Sequence, residues 1–477
     1  MKTKLASSLL IFLLISIGFA KIQESDEYII ITWNDLGMHC ANKDFSNMAV
    51  LPPYNNLMAQ VVRKGDEFRN PAIVTDFLTV KYSIPGNTYS VGKTNFWEYD
   101  EQLFGIDLAP DVGLTGLGLT GEMEDQGYYF MAEGIPVTPY TDADLQNEDP
   151  YQLALVELFD PDENQIAWTE NVIPVSNEIS CVSAGCHPNE DHIFEEHEDE
   201  GGFDRQKRPQ LCASCHASNA LGTTGDPEAK SLSYVIHEYH AEETQDCYKC
   251  HPGENTQCLR GVMAVAGMVC RDCHGGMEQV ASSIRNGRRP WLDEPQCGNP
   301  DCHGSAYAEE DGKLFRQSRG HGGLFCSACH GSPHALVPSS VDRDNQQNIR
   351  LQGEAGILKK CEVCHGMVPD APGPHGYRPT HVEAESTAIP AKTELHEPAP
   401  NPLSGSGYIS FSIQVQAKVR ISIYDLRGRK IETIFRGNMM PGKYRADLNA
   451  GNMPDGIYFI RMNLRGKEFT RKLIVNK

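Results

Sequence analysis

Between Cys181 and His365 a pair of cysteines is followed at once by histidine seven times. Five copies have the spacing C-x-x-C-H: Cys212-Cys215-His216, Cys247-Cys250-His251, Cys270-Cys273-His274, Cys326-Cys329-His330 and Cys361-Cys364-His365. Two carry a longer spacer, Cys181-Cys186-His187 and Cys297-Cys302-His303. C-x-x-C-H is the attachment signal for c-type haem. Two thiols form thioethers with the vinyl groups, and the adjacent imidazole becomes the proximal iron ligand. The competing readings are zinc sites and redox-active dithiols. Structural zinc takes two separated Cys pairs per metal and does not need His immediately after, and no thioredoxin-like βαβ pattern surrounds these pairs. The sequence therefore predicts seven covalently attached haems, with the seven motif histidines as proximal ligands.

A proximal histidine leaves one iron position to be filled, and that position divides the function classes. A second histidine makes the iron an electron carrier; an open position lets it bind small oxyanions and become catalytic. Ten histidines lie outside the motifs: His39, His192, His197, His237, His240, His321, His334, His375, His381 and His396. His396 falls in a Pro-rich stretch and is expected to be inert; His39, beside Cys40, reads as a structural histidine with distal ligation as its alternative. The remaining eight are the distal candidates. His334 follows His330 by four residues and cannot easily take the opposite face of the same iron, so it should reach a neighbouring one. His237 and His240 are spaced i, i+3 in a predicted helix over 232–243 and share a face. Of His192 and His197, in an acidic helix, one is expected to ligate. His321 sits among Gly320, Gly322 and Gly323, a backbone that permits close approach. His375 and His381 compete after the last motif. Met277 and Met367 are the alternatives to histidine.

Three functions follow from these residues. The leading one is electron conduction through closely packed, mainly bis-His haems without bond chemistry, so no catalytic residue is assigned. The second is a multihaem reductase of nitrogen or sulfur oxyanions; known reductases of this kind often have one motif ending in Lys, whereas all seven here end in His. The third is a polymeric cytochrome filament, a homopolymer bridged by terminal haems. The intervals between motif histidines are 23 to 35 residues, too short for independent cores, so the cofactors themselves should fill the interior among loops and short helices.

Residues 1–20 read as a secretory signal, with basic Lys2 and Lys4, an apolar run over 9–19 and small Gly18 and Ala20. The run is short for a transmembrane anchor, and no second stretch of membrane length follows. Export suits haem c, which is attached outside the cytoplasm. Fourteen of the 16 cysteines belong to motifs, leaving Cys40 and Cys258 as a candidate disulfide in an oxidising compartment, with two separate thiols as the alternative. The formal charge is −22. Residues 401–477 hold 14 Lys/Arg against 5 Asp/Glu, so the remainder is strongly acidic. That excludes nucleic acid and anionic lipid as natural partners. Other redox proteins or an extracellular electron acceptor fit better.

The elements that must position this chemistry form a multidomain chain. Residues 21–177 carry strand patterns at Tyr28–Trp33, Leu57–Arg63 and Ile73–Ile84, and a hairpin from Gln152–Phe159 to Gln165–Val175 across 161–164, which predicts a β-sandwich-like domain. Residues 178–382 form the heptahaem region, and 383–400, rich in Pro, Ala and Glu, read as an extended linker. Residues 401–477 alternate again and predict a small Ig-like antiparallel sandwich.

Three resemblances accompany this reading. The longer Cys spacers at 181–186 and 297–302 resemble those of some multihaem cytochromes, including the cytochrome c3 group. Trp33–Cys40 (WNDLGMHC) with Leu51–Gln60 (LPPYNNLMAQ) resembles the N-terminal region of multihaem cytochromes from metal-respiring bacteria. Asn401-Pro402, the stretch 424–430 (YDLRGRK), Pro441-Gly442-Lys443-Tyr444, Asp455-Gly456-Ile457-Tyr458 and the terminal 472–477 (KLIVNK) resemble the type A sorting domain of type IX secretion. An adhesive Ig-like module is the alternative. The sorting resemblance implies passage through the periplasm of a Gram-negative-type bacterium, handling by the type IX machinery, and a secreted or cell-surface product from which the tail is usually removed.

Overall fold

The strand patterns place two β sandwiches at either end of the chain, with the cysteine motifs between them. The structure, a computed structural model, describes residues 27–66, 68–177, 181–182, 184–197, 203–252, 256–366, 373–376, 382–386, 390–439, 441–451 and 453–477. Strands outweigh helices, at 30% against 19%. The chain divides into two compact units, residues 1–369 and 370–477. The expected signal segment lies outside the described residues. Among those described, no helix is long and apolar enough to cross a membrane.

In the first unit two antiparallel sheets face each other. One runs in the order Tyr28–Trp33, Asn55–Arg63, Phe130–Ile135, Glu124–Asp125, with Ala72–Ile73 also paired to Asn55–Arg63. The other runs Gln165–Val172, Leu153–Phe159, Thr79–Ser83, Gly121–Glu122. Leu153–Phe159 alternates strictly between buried and half-buried positions, as a strand with one core face must. Its Ala154, Val156 and Leu158 meet Leu57, Ala59, Val61, Val80 and Phe130 in the sandwich core.

Asn55–Arg63 departs from alternation: eight of its nine residues are buried, so both faces of its sheet are covered. The second face carries Met58 and Val62 with Ile29, Ile31 and Trp33, and it packs on Ala328, Phe325, Leu358 and Val363 from the cysteine-rich segment. That segment thus lies on the outer face of the first sheet. Polar stitching fixes the register. The Gln347 amide spans both main-chain groups of Thr32, at 2.8 and 3.0 Å. Two short parallel pairings add to it: Val175–Ser176 with His39–Cys40, and Gln210–Leu211, just before the second motif, with Met48–Ala49.

Among the described residues, 27–177 contribute 33 buried apolar side chains, whereas the longer stretch 181–366 contributes nine. The cysteine-rich part therefore does not supply a hydrophobic core of its own. Its helices are short, the longest being Asp342–Gln352, Met277–Arg285 and Leu232–Tyr239.

The second unit is a sandwich of two four-stranded antiparallel sheets. One is ordered Val382–Ser386, Gly442–Asn449, Ser406–Ile413, Glu394–Ala399 and the other Lys430–Met439, Ala417–Asp425, Gly456–Leu464, Lys467–Val475. Ile409, Phe411, Ile421, Ile423, Ile460 and Leu473 form the core between them. Residues 382–386 and 394–399, expected as linker, are strands of this sheet. The prolines obscured that: Pro398 follows a register shift on an edge strand, where a missing N–H is tolerated, while Leu395 is fully buried in the core.

Candidate cofactor site

Each motif is folded into one tight turn. Cys212–Cys215, Cys270–His274 and Cys326–His330 are single α-helical turns, and Cys247–Lys249 and Cys361–Val363 are 3₁₀ turns. The histidine N–H donates to the carbonyl of the first cysteine in Cys212–His216 (3.0 Å), Cys247–His251 (2.9 Å) and Cys361–His365 (2.7 Å). The two long motifs close the same way, Cys181–His187 at 3.1 Å and Cys297–His303 at 3.2 Å. The longer spacers leave this contact between histidine and first cysteine unchanged.

Five motif histidines face a second histidine from elsewhere in the chain. Ring centroids are 6.1 Å apart for His187 and His240, 6.2 Å for His216 and His197, and 6.1 Å for His251 and His237. They are 6.2 Å apart for His274 and His334, and 6.1 Å for His365 and His321. Two imidazoles bonded to one metal at about 2 Å each, with a ring radius of about 1.1 Å on either side, stand with centroids about 6 Å apart. The facing rings are thus at the separation that accommodates one metal between them.

Hydrogen bonding fixes which nitrogen is available. Nδ1 donates to a main-chain carbonyl in His197 (Ile193, 3.0 Å), His237 (Ser233, 2.6 Å), His240 (Ile236, 2.8 Å) and His334 (Leu36, 3.0 Å). Among the motif histidines, His216 does the same to Lys230 (2.8 Å). A proton held on Nδ1 leaves the Nε2 lone pair bare, the form a metal takes. Burial and the facing His237 lower the pKa of His251 to about 4, and burial with His334 does so for His274. Both residues are nevertheless exposed to solvent. Burial also lowers the pKa of His187, His237, His334 and His365, so these rings are neutral at pH 7.

The thiols show how the motifs neighbour one another. Burial and then Cys181 push Cys212 up to about 12, and burial followed by Cys181 and Cys186 raises Cys250. Cys247 is raised by burial and Cys270, and Cys273 by burial and Cys302. Cys297 reaches about 12 through burial, Glu309 and Cys326, and Cys329 about 12 through burial and Cys364. Each motif thus abuts the next in the order second, first, third, fourth, fifth, sixth, seventh. One helix spans the first and third: His240, its C-cap, faces His187, while His237 faces His251.

These features bear on which metal chemistry fits. Zinc needs three or four ligands, drawn from Cys, His, Asp and Glu, gathered about one point, and no group of three or more such residues suited to a metal ion occurs among the described residues. Beside the sixth motif, Nε of Arg316 and Oγ of Ser327 are buried without a protein partner. Polar atoms so placed suit a group with its own hydrogen-bonding substituents. A planar macrocycle held by two thioethers and two imidazoles fits the residues present.

The remaining candidates divide as follows. His192 does not face a motif ring across a metal-sized gap; its Nδ1 lies 2.9 Å from Nδ1 of His187. His303 has the Tyr307 ring at 6.3 Å and His330 the Phe315 ring at 6.4 Å. His375 falls in the second unit, and His381 and Met367 lie outside the described residues. Met277 is buried in its helix. His39 is 5% exposed and paired with Asp35 at 2.7 Å, a structural role. No disulfide joins Cys40 to Cys258. The first follows a strand pairing with Ser176, and the second lies with Cys270 and Tyr248.

Sequence reasoning missed the acceptors that orient the rings. Three were legible: Ile193, Ser233 and Ile236 lie four residues before their histidines, the helical spacing. Leu36 was not. It belongs to the Trp33–Cys40 segment, whose place in the molecule is now defined. Asn34 N–H donates to Ser332 Oγ at 3.2 Å, Leu36 holds His334, and the Gly37 carbonyl accepts from Arg260 at 2.5 Å. The segment is a cradle for 332–334.

Residues 399–476 match the family model described as a secretion system C-terminal sorting domain. No curated protein matches the chain. Residues 399–476, a strand-rich sandwich consistent with an Ig-like domain, therefore form a type IX secretion sorting domain, which engages the secretion machinery and marks this chain for export and a secreted or cell-surface destination.

Proposed function

We propose that the protein is an exported heptahaem c-type cytochrome that conducts electrons through closely packed, mainly bis-His haems in extracellular electron transfer. The observation that carries the reading is the set of five facing histidine pairs at 6.1 to 6.2 Å. Covalently held haems supply one-electron carriage; the chain supplies their attachment, spacing and surroundings. Cys181, Cys186, Cys212, Cys215, Cys247, Cys250, Cys270, Cys273, Cys297, Cys302, Cys326, Cys329, Cys361 and Cys364 are the attachment residues. His240, His197, His237, His334 and His321 close the irons at His187, His216, His251, His274 and His365.

Three further features support this. Few apolar side chains are buried across 181–366, as expected where cofactors replace a core. The unbroken sequence of neighbouring thiols gives a continuous route whose ends are the second and seventh motifs. Carbonyl-bound Nδ1 atoms hold the imidazoles in one orientation, which minimises rearrangement when charge arrives.

The test is direct. Purified holoprotein is expected to contain seven haems by pyridine haemochrome assay and mass, with low-spin EPR signals unchanged by nitrite, sulfite or cyanide. Fewer than five haems would remove the conduit reading. A high-spin iron that turns over a small oxyanion would move the protein to the reductase class.

A further inference from the structure

In five of the six rings whose Nδ1 contact is described above, the acceptor is a main-chain carbonyl. His187 is the exception: its Nδ1 meets Nδ1 of His192 at 2.9 Å. The two rings are 5.1 Å apart, at an interplanar angle of 59°. His187 faces His240 separately, at 6.1 Å. With iron on Nε2, the His187 proton must sit on Nδ1, so His187 donates and His192 accepts. The His192 proton is then on its own Nε2.

We propose that His192 is a positioning residue that lowers the reduction potential of the haem at Cys181, Cys186 and His187 by accepting the His187 Nδ1 proton. The inference rests on the haem reading above. An imidazole nitrogen is a more basic acceptor than an amide carbonyl, so His187 takes on more imidazolate character. A more basic ligand favours the oxidised iron.

The placement of His192 is built rather than incidental. It lies in the first turn of the helix Glu190–Glu195, and its N–H donates to the Asn189 cap at 3.1 Å. Asp191 pairs with Arg208. Arg208 in turn donates to Asn47 at 2.9 Å and lies over the buried Phe194 ring at 4.8 Å. Just past the same helix, His197 faces His216. One short helix therefore serves two adjacent motifs in different ways: by a hydrogen bond at the first and by a facing ring at the second.

The experiment compares holoprotein with His192→Phe, which removes the acceptor, and His192→Asn, which places an amide oxygen where Nδ1 stood. His240→Phe is the ligand control. Haem count, EPR and a spectroelectrochemical titration are read for each. In His192→Phe we expect seven haems, no new high-spin signal, and one haem whose reduced-to-oxidised ratio at fixed potential rises about tenfold, a shift of about 59 mV for one electron. His192→Asn, whose amide oxygen is the weaker acceptor, should return only part of that shift. His240→Phe should create one high-spin iron. An unchanged titration in His192→Phe overturns the proposal. A high-spin iron in His192→Phe but not in His240→Phe also overturns it, because His192 would then be the axial ligand. A wild-type chain whose Cys181 and Cys186 remain free thiols overturns the haem assignment at this motif, and the inference with it.

Discussion

Gly37 carries more of the proposed site than any residue of its size. Its φ is +79°, and a Cβ there would sit 1.8 Å from the Pro333 carbonyl oxygen, inside any permissible contact. The chain can approach this closely only without a side chain, and the approach puts the Leu36 carbonyl on His334. Gly37→Ala should displace His334 from His274 and convert one low-spin iron to high spin, with seven haems still attached. EPR on the holoprotein checks it; an unaltered spectrum would mean that the cradle does not position His334. His237→Phe should likewise open a single iron, the one at His251, and leave the other signals in place. At this scale helical spacing made the carbonyl acceptors of His197, His237 and His240 legible, whereas the Leu36 acceptor of His334, nearly 300 positions away, left no mark in the sequence.

The elements hold these residues through buried polar ties rather than through an apolar core. Arg260 and Asp344 form a bidentate pair at 2.7 and 2.9 Å, with side chains 3% and 5% exposed. Asp344→Ala would strand a buried guanidinium and should cost about 3–5 kcal/mol, read as a lower denaturation midpoint. Replacing both residues with Met and Leu should cost far less. Asp35 gives a pH signature. Burial raises its carboxyl, but His39, Asn56 and Arg316 outweigh that and leave it below the ordinary 3.8. A carboxyl lowered on folding adds stability that is present above the unfolded value and lost as pH falls through the folded one. Between about pH 5 and about pH 3 the Tm advantage of the wild type over Asp35→Asn should therefore shrink; a constant advantage would show that Asp35 is not the titrating group. Many strands of both sandwiches were legible from alternation, but Phe130–Ile135 was not read as a strand, and 383–386 and 394–399 were expected as linker. Asn55–Arg63 looked like half a core strand, but its second buried face is covered by residues nearly 300 positions away.

At the scale of the whole molecule, the sorting domain and the cysteine motifs lie in separate units. Residues 399–476 form the sorting domain, while every cysteine motif lies in the first unit. A chain ending at residue 398 should therefore keep its haem content and spectrum yet accumulate in the periplasm. Haem-stained fractionation of cells checks both halves of that outcome; loss of haem on truncation would couple the units. Removal of the basic tail also leaves the rest more acidic. Its encounter with a cationic redox partner should slow as salt rises.

The sequence alone determined the spacing of the cysteine-histidine motifs and much of the two sandwiches, because motif spacing and strand alternation are local properties. It also led to the expectation that His334 reaches a motif other than its own, and His334 faces His274. Which histidine faces which was decided by tertiary structure. His240 reaches back to His187 and His321 forward to His365 because the cysteine-rich chain has little core of its own and takes its path from the sheet beneath it. The long spacers, ambiguous as sequence, close on the same carbonyl as the short ones. The difference between His192 and His197 also needed three dimensions: both follow the same helix start, yet the first meets His187 Nδ1 to Nδ1 while the second faces His216.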